Sequence, residues 1–226
     1  MDDLKNNQIG KLRQTSLPVV GVFGTSSVQG KYFLQLSLRR EMLRRKIRVG
    51  QISTEPSGYL FGMDYVYPMG YNSSVYLNGH SSVILLNEII WEIEKTKPDI
   101  LLIGSQSGTV PFALYNTNNL MFQQNELILG TCPDAILLCI NVYDPIDYII
   151  RTINFLESII KAKVIGLVLS PLDINNKMLL SNLYKKEVSA ESRVMFINKL
   201  KKEINIEIYT QNEIVQIVDS IIDYFT

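Results

Sequence analysis

Along this chain, short runs of consecutive apolar residues alternate with stretches in which apolar residues return every third or fourth position. An unbroken apolar run suits a buried strand, and the longer spacing suits one buried face of a helix. Strands are predicted over 18–23, 47–53, 99–104, 135–142, 164–170 and 206–209, and helices over 31–46, 81–95, 146–161, 190–202 and 213–224. Such alternation implies parallel strands joined by crossover helices. The strands are apolar throughout, as in Ile100-Leu101-Leu102-Ile103 and Ala135-Ile136-Leu137-Leu138-Cys139-Ile140, the pattern of a sheet covered on both faces. The expected fold class is therefore α/β, a three-layer α/β/α sandwich around a mainly parallel central sheet. Ser189 and Asn212 stand where side-chain oxygens cap the starts of the last two helices.

The polar, aperiodic stretch 1–16 is expected as a flexible N-terminal arm, and 17–226 as a single domain. A chain of 226 residues with 46% hydrophobic ones buries a sizeable core, and no linker divides it. Residues 114–130, rich in Asn and Gln, are expected as a flexible surface excursion. The 22 basic and 22 acidic residues cancel, so neither nucleic acid nor an anionic membrane is expected as a partner. One helix is locally basic, with Arg39-Arg40 and Arg44-Arg45-Lys46; its simplest reading is a solvated face with cations near the helix C-terminus. Cys132 and Cys139 form no metal-like pairing with His80, the single histidine, which argues against a structural zinc site and a disulfide framework. The start lacks a basic segment followed by an apolar one, and Asp147, Arg151, Glu157 and Lys161 interrupt the later apolar runs. A cytoplasmic protein in a reducing compartment is the expectation.

In doubly wound sheets ligands lie beyond the carboxyl ends of the strands, so the chemistry is sought in 24–31, 54–76, 104–131, 141–145 and 170–189. The first of these reads Gly24-Thr25-Ser26-Ser27-Val28-Gln29-Gly30-Lys31, between an apolar run and a helix-like stretch. A strand that turns through glycines into a helix aims backbone N–H groups at one point, where a phosphate oxygen is favoured. Lys31 adds a mobile cation for the outer phosphates, and a lysine at a helix N-terminus opposes the dipole unless an anion is present. The alternative is a glycine-rich turn that binds nothing, with Gly30 serving close packing and Lys31 solvated.

Counting back from Gly30-Lys31, the first glycine of the usual phosphate-loop pattern falls on Thr25. This Gly-Thr variant resembles the loop of dethiobiotin synthetase and of the amidotransferase-type cobyric acid synthases, in the P-loop branch that includes MinD-like ATPases. Two further stretches, Gly58-Tyr59-Leu60-Phe61-Gly62-Met63-Asp64 and Gly104-Ser105-Gln106-Ser107-Gly108-Thr109-Val110-Pro111, make the chain similar to P-loop proteins associated with D-glutamate breakdown and with peptide-maturation gene sets. The resemblance implies ATP or another nucleoside triphosphate held by residues 24–32, Mg²⁺ beside it, a carboxylate as phosphoryl acceptor, and a homodimer. It also implies a purine read near Ser170-Pro171, although Ser170 is not the amide side chain those relatives often use there.

Departures from the pattern bear on catalysis. The hydroxyl that normally follows the loop lysine and meets Mg²⁺ is replaced by Tyr32, and the strand ending at Gly104 supplies no acidic residue. The remaining candidates for metal or catalysis are Glu55, Asp64, and Ser26 or Ser27 within the loop. Ser105, Gln106, Ser107 and Thr109 suit hydrogen bonding to a γ-phosphate or an acceptor carboxylate, or equally an ordinary turn. The segment 54–76, with Tyr59, Phe61, Tyr65, Tyr67, Tyr71 and Tyr76, reads either as a lid or partner surface or as packing over the sheet end. Two functions stand: an ATP-dependent phosphoryl-transfer or carboxylate-activating enzyme acting on a small molecule or a peptide, and a nucleotide-binding partner protein with little hydrolysis. A P-loop relic without nucleotide follows if Lys31 points to solvent.

Overall fold

The computed structural model describes residues 11–68, 79–115, 120–173 and 187–226. Its strands are β1 (Val19–Gly24), β2 (Val49–Ser53), β3 (Tyr65–Val66), β4 (Ile100–Gly104), β5 (Ala135–Ile140), β6 (Lys163–Leu169) and β7 (Ile208–Thr210). The helices are α1 (Lys31–Arg44), α2 (His80–Glu94), α3 (Phe122–Thr131), α4 (Ile146–Ile159), α5 (Ala190–Leu200) and α6 (Ile214–Phe225). All strand pairings are parallel, in the order β3-β2-β4-β1-β5-β6-β7.

Strand alternation builds two cores. From β1, Val19 and Phe23 pack with side chains of α2, α3, α4 and α5, whereas Val20 and Val22 pack with those of α1 and α6. In β4, Ile103 joins the first group and Leu102 the second. Every residue of β1, β4 and β5 is buried, which is why these strands carry no polar positions to show a period of two. Full burial of a side chain such as Leu102 contributes about 1.5–3 kcal/mol. This is the three-layer architecture expected from the sequence. β1 lies where the strand order reverses, between β4 and β5, so the loop that leaves it faces the crevice at the carboxyl ends.

Some local expectations differ from what the chain does. Part of the excursion expected over 114–130 is helix α3, which packs on α2 and buries Leu127 and Ile128. Too few apolar positions occur there to display a helical period. A 3-10 helix, Pro56–Phe61, and the two-residue β3 were too short to leave any. Residues 11–16, expected within a mobile arm, carry specific bonds to α2: the Arg13 amide donates to Asn87 Oδ1, its guanidinium to Glu88, and Ser16 to Glu94. Residues 1–10 lie outside the described part, as do Tyr71 and Tyr76. Ser189 caps α5 by accepting from the Ser192 amide. Asn212 does not cap α6; the neighbouring Glu213 instead accepts from the Thr210 amide and hydroxyl, tying the end of β7 to the helix start. No helix among the described residues is long and apolar enough to cross a membrane.

Candidate functional site

Beyond the carboxyl ends of β1, β2 and β4 lies a cleft of about 380 Å³ lined by Ser27, Val28, Gln29, Gly30, Lys31, Tyr32, Glu55, Ser105 and Gln106. The loop after β1 forms one wall. Gly30 adopts a left-handed conformation with φ of 76°, which turns the chain directly into α1 and which an L side chain adopts at a cost. The first amide bonded within the helix is that of Leu34, to the Gly30 carbonyl, so the amides of the first turn remain the open donors of a helix N-terminus.

Lys31 does not point to solvent. It is 4% exposed, and its ammonium donates to the Ser26 carbonyl at 2.6 Å. An ammonium has three protons to donate, and one is spent across the loop's own mouth. Burial lowers the Lys31 pKa from its ordinary 10.5 to about 8, against the opposing influence of Cys139, Glu55 and Asp144. Burial also pushes the Cys139 thiol up to about 12, so Cys139 is neutral at physiological pH and offers Lys31 no counter-charge. The cation is therefore desolvated and under-compensated, an arrangement that an incoming anion relieves.

The loop backbone is held from four sides. Thr25 Oγ1 donates to Asp144 Oδ2 at 2.5 Å, and the same oxygen accepts from the Asn141 amide at 2.7 Å and from Gln29 Nε2 at 3.3 Å. Gln29 also donates to Thr25 Oγ1 and accepts from the Ser26 amide through Oε1. Burial raises the Asp144 pKa while these donors pull it back. Thr109 donates its amide and hydroxyl to the Gly24 carbonyl at 3.0 and 2.9 Å. Gln211, after β7, donates to the Gln29 carbonyl at 2.8 Å and fills the space that a side chain at position 30 would need. The Tyr148 hydroxyl sits 2.7 Å from the Thr25 carbonyl and 2.6 Å from the Val110 carbonyl.

Not all residues singled out from the sequence meet in the cleft. Gly24, Thr25 and Thr109 lie beneath the loop as its support, and Ser107 is turned toward the Gly108 carbonyl. Ser105 and Gln106 do face the cleft: Ser105 is 4% exposed, and neither its Oγ nor Gln106 Oε1 has a partner among the described residues. Gln106 Nε2 reaches Glu55 Oε1 at 3.5 Å. Asp64 lies outside. Its carboxylate accepts from the Gln51 amide and stands 3.7 Å from Arg39, closing the edge of β2. Tyr32 borders the cleft but its hydroxyl pairs with Ser57 Oγ at 2.9 Å, and its ring meets Phe61 edge-on. Ser170 is buried and accepts from the Leu172 amide, while the Pro171 carbonyl accepts from Val188. Asp144, Tyr148 and Gln211 were not legible as site residues; only the place of Asp144 in the segment 141–145, beyond the end of β5, hinted at a role.

The donors present fit a phosphate group: open helix amides, the free protons of Lys31 and the unpartnered Ser105 hydroxyl. They fit a divalent cation poorly, because Tyr32 is turned away and no group of three or more His, Cys, Asp or Glu side chains gathers among the described residues. Glu55 is the carboxylate that lines the cleft.

A DUF1611 family protein from Anabaena variabilis has a similar structure, with a TM-score of 0.67 at 14% identity over 96% of this chain and 63% of that one. This chain thus spans less than two thirds of that relative's length. Chloroplast FtsY from Physcomitrella patens superposes with a TM-score of 0.53 at 12% identity, covering 93% of this chain and 67% of that one. Cobyrinic acid a,c-diamide synthase from Mycobacterium smegmatis, solved with bound ADP and magnesium, gives 0.51 at 10% identity over 84% and 83% of the two chains. At these identities the likeness is one of fold. No curated protein matches the sequence. The family profile described as "Domain of unknown function (DUF1611_C) P-loop domain" matches residues 8–201, and the chain belongs to that P-loop family.

Proposed function

We propose that the cleft binds the phosphates of ATP or another nucleoside triphosphate, and that the protein is an ATP-dependent phosphoryl-transfer or carboxylate-activating enzyme of the cytoplasm. The observation that carries this reading is the buried Lys31 ammonium, desolvated and only partly offset by Glu55 and Asp144, in a cleft whose Ser105 hydroxyl is also unpartnered. Lys31 and the open amides of α1 would hold the outer phosphates and stabilise the charge that spreads over them during transfer. Ser105 and Gln106, on the opposite wall, would orient an acceptor carboxylate on a small molecule or a peptide. Glu55, the carboxylate at the cleft, would hold any magnesium ion that accompanies the nucleotide, and such an ion would supply charge neutralisation. The Gly-Thr form of the loop supports the dethiobiotin-synthetase-like branch, and the stretches 58–64 and 104–111 support kinship with peptide-maturation proteins. A homodimer completes this reading.

A second reading, a nucleotide-binding partner protein with little hydrolysis, is favoured by Tyr32. Its hydroxyl belongs to Ser57 rather than to the cleft, which weakens metal-assisted catalysis more than it weakens phosphate binding. Titration of ATP with and without Mg²⁺ into wild type and Lys31→Ala, followed by phosphate release, separates the two. Binding and turnover lost together in the variant support the enzyme; tight binding without turnover supports the partner protein. Failure of wild type to bind any nucleotide refutes both.

A further inference from the structure

Away from the cleft, α1 carries a stripe of residues that the described residues leave exposed or half-exposed. Phe33, Leu36, Arg40 and Leu43 recur at the spacing of one helix face, opposite Leu34, Leu38 and Met42, which pack on the sheet. Together with Phe61 of the 3-10 helix they line a groove of about 380 Å³. Phe33 is 58% exposed, Leu43 48% and Phe61 53%, and Leu60 at its shoulder is 85% exposed. Large apolar side chains brought together in this way mark an interaction surface.

Charge defines what would fill it. Arg39 is committed to the Val49 and Gly62 carbonyls, but Arg40 at the groove has no carboxylate partner among the described residues. Further along, Arg44 is paired with Glu41 at 2.7 Å, and Lys46, just past the end of α1, is exposed. The charge of Arg40 sits on a chain whose 22 basic and 22 acidic residues cancel, so the attraction is local to the groove. A concave trough between a helix and a 3-10 turn fits a rod-shaped ligand, whereas a bilayer surface calls for a convex or flat apolar face.

We propose that this groove docks an acidic amphipathic helix of a partner protein, its apolar stripe set between α1 and Phe61 and its carboxylates toward Arg40. Helix-in-groove recognition has this form, with anchors at three- and four-residue spacing. The groove is also joined to the phosphate site. Tyr32 directly follows Lys31, its hydroxyl pairs with Ser57 Oγ at 2.9 Å, and its ring centroid lies 6.2 Å from that of Phe61. A shift of the first turn of α1 thus moves the groove wall. That coupling rests on the phosphate-binding reading; the docking itself does not.

The test is fluorescence anisotropy with a labelled, amphipathic Leu/Glu helical peptide of roughly 18 residues, long enough to hold a helix, against a Leu/Lys peptide of the same pattern. Wild type is expected to bind the acidic peptide saturably and to ignore the basic one. Arg40→Glu and Leu43→Asp, both at exposed positions, should each weaken binding by about tenfold or more, with unchanged thermal melts as the folding control. Arg40→Ala should weaken it less than the charge reversal. Equal binding of both peptides, absence of saturable binding, or indifference to Arg40→Glu overturns the proposal. So does Leu43-dependent sedimentation with phosphatidylserine vesicles, which would assign the face to a membrane, or Leu43-dependent self-association, which would assign it to a second copy. In Lys31→Ala the peptide should still bind, so failure of the nucleotide reading shows as a missing effect of ATP on peptide affinity and leaves docking intact.

Discussion

Replacing Lys31 by methionine should stabilise the ligand-free protein while removing phosphate binding. The side chain lies buried with its ammonium on the Ser26 carbonyl, and its pKa falls from 10.5 to about 8. At about 1.4 kcal/mol for each pH unit, that gap corresponds to roughly 3 kcal/mol of strain on the charged form. Methionine has similar length and no charge. It leaves the Ser26 carbonyl without its donor, a loss of about 1 kcal/mol, so the net gain is about 2 kcal/mol, or roughly 4–8 °C in Tm for a chain of this size. The folded chain holds this proton less firmly than the unfolded one, so wild-type stability rises with pH between about 8 and 10.5. The advantage of Lys31→Met is therefore full below about pH 8 and disappears toward 10.5. Thermal melts of both proteins from pH 6 to 10, with and without ATP, read this directly. With saturating ATP the order should reverse, because only wild type gains ligand stabilisation. A variant no more stable than wild type at pH 7 in the absence of ligand would refute the account of a desolvated, under-compensated cation.

Asp144→Ala leaves the Thr25 hydroxyl, the Asn141 amide and the Gln29 amide group without their shared acceptor; urea denaturation should show a loss of about 3 kcal/mol, and nucleotide affinity should fall with it. A Cβ at Gly108 would lie 2.5 Å from the Thr25 carbonyl oxygen, so Gly108→Ala should push the phosphate loop, weakening ATP binding more than it lowers Tm; equal ATP affinity in the two proteins would count against the close approach. Tyr32→Thr removes the bond to Ser57 and restores a short hydroxyl after the lysine, and ATP binding should become more dependent on Mg²⁺, as read by calorimetry with and without EDTA. Leu102→Ala, in the centre of the sheet, should cost about 2–5 kcal/mol in denaturation without altering Mg²⁺ dependence.

What the sequence disclosed followed from how strongly each element's pattern departs from its surroundings. β1, β4 and β5 are unbroken apolar runs because helices cover both their faces, and such runs are conspicuous. Helix α3 was hidden because it rests one flank on α2 and exposes Phe122 and Leu129, so its apolar residues do not line up with a period. The same division holds at the candidate site. Gly30 and Lys31 announce themselves by their place between strand and helix, whereas Asp144, Tyr148 and Gln211 reach the loop from positions more than a hundred residues away and carry no local signature. Asp64 was a candidate because the loop lacks its usual hydroxyl and the strand ending at Gly104 its acid; its bond to β2 and its ion pair with Arg39 go with the short β3, which no sequence period reveals.

Tyr148 has a single phenolic proton, yet the carbonyls of Thr25 and Val110 stand within 2.7 Å and 2.6 Å of its oxygen. Only one of them can receive that proton at a time. Burial pushes the phenol up to about 12, so it keeps the proton and the contest at neutral pH. The loop after β1 and the loop after β4 are thus rivals for one bond, and swinging the hydroxyl from one to the other exchanges like for like. The other anchors of the first loop, from Asp144, Thr109 and Gln211, do not depend on which carbonyl holds that proton.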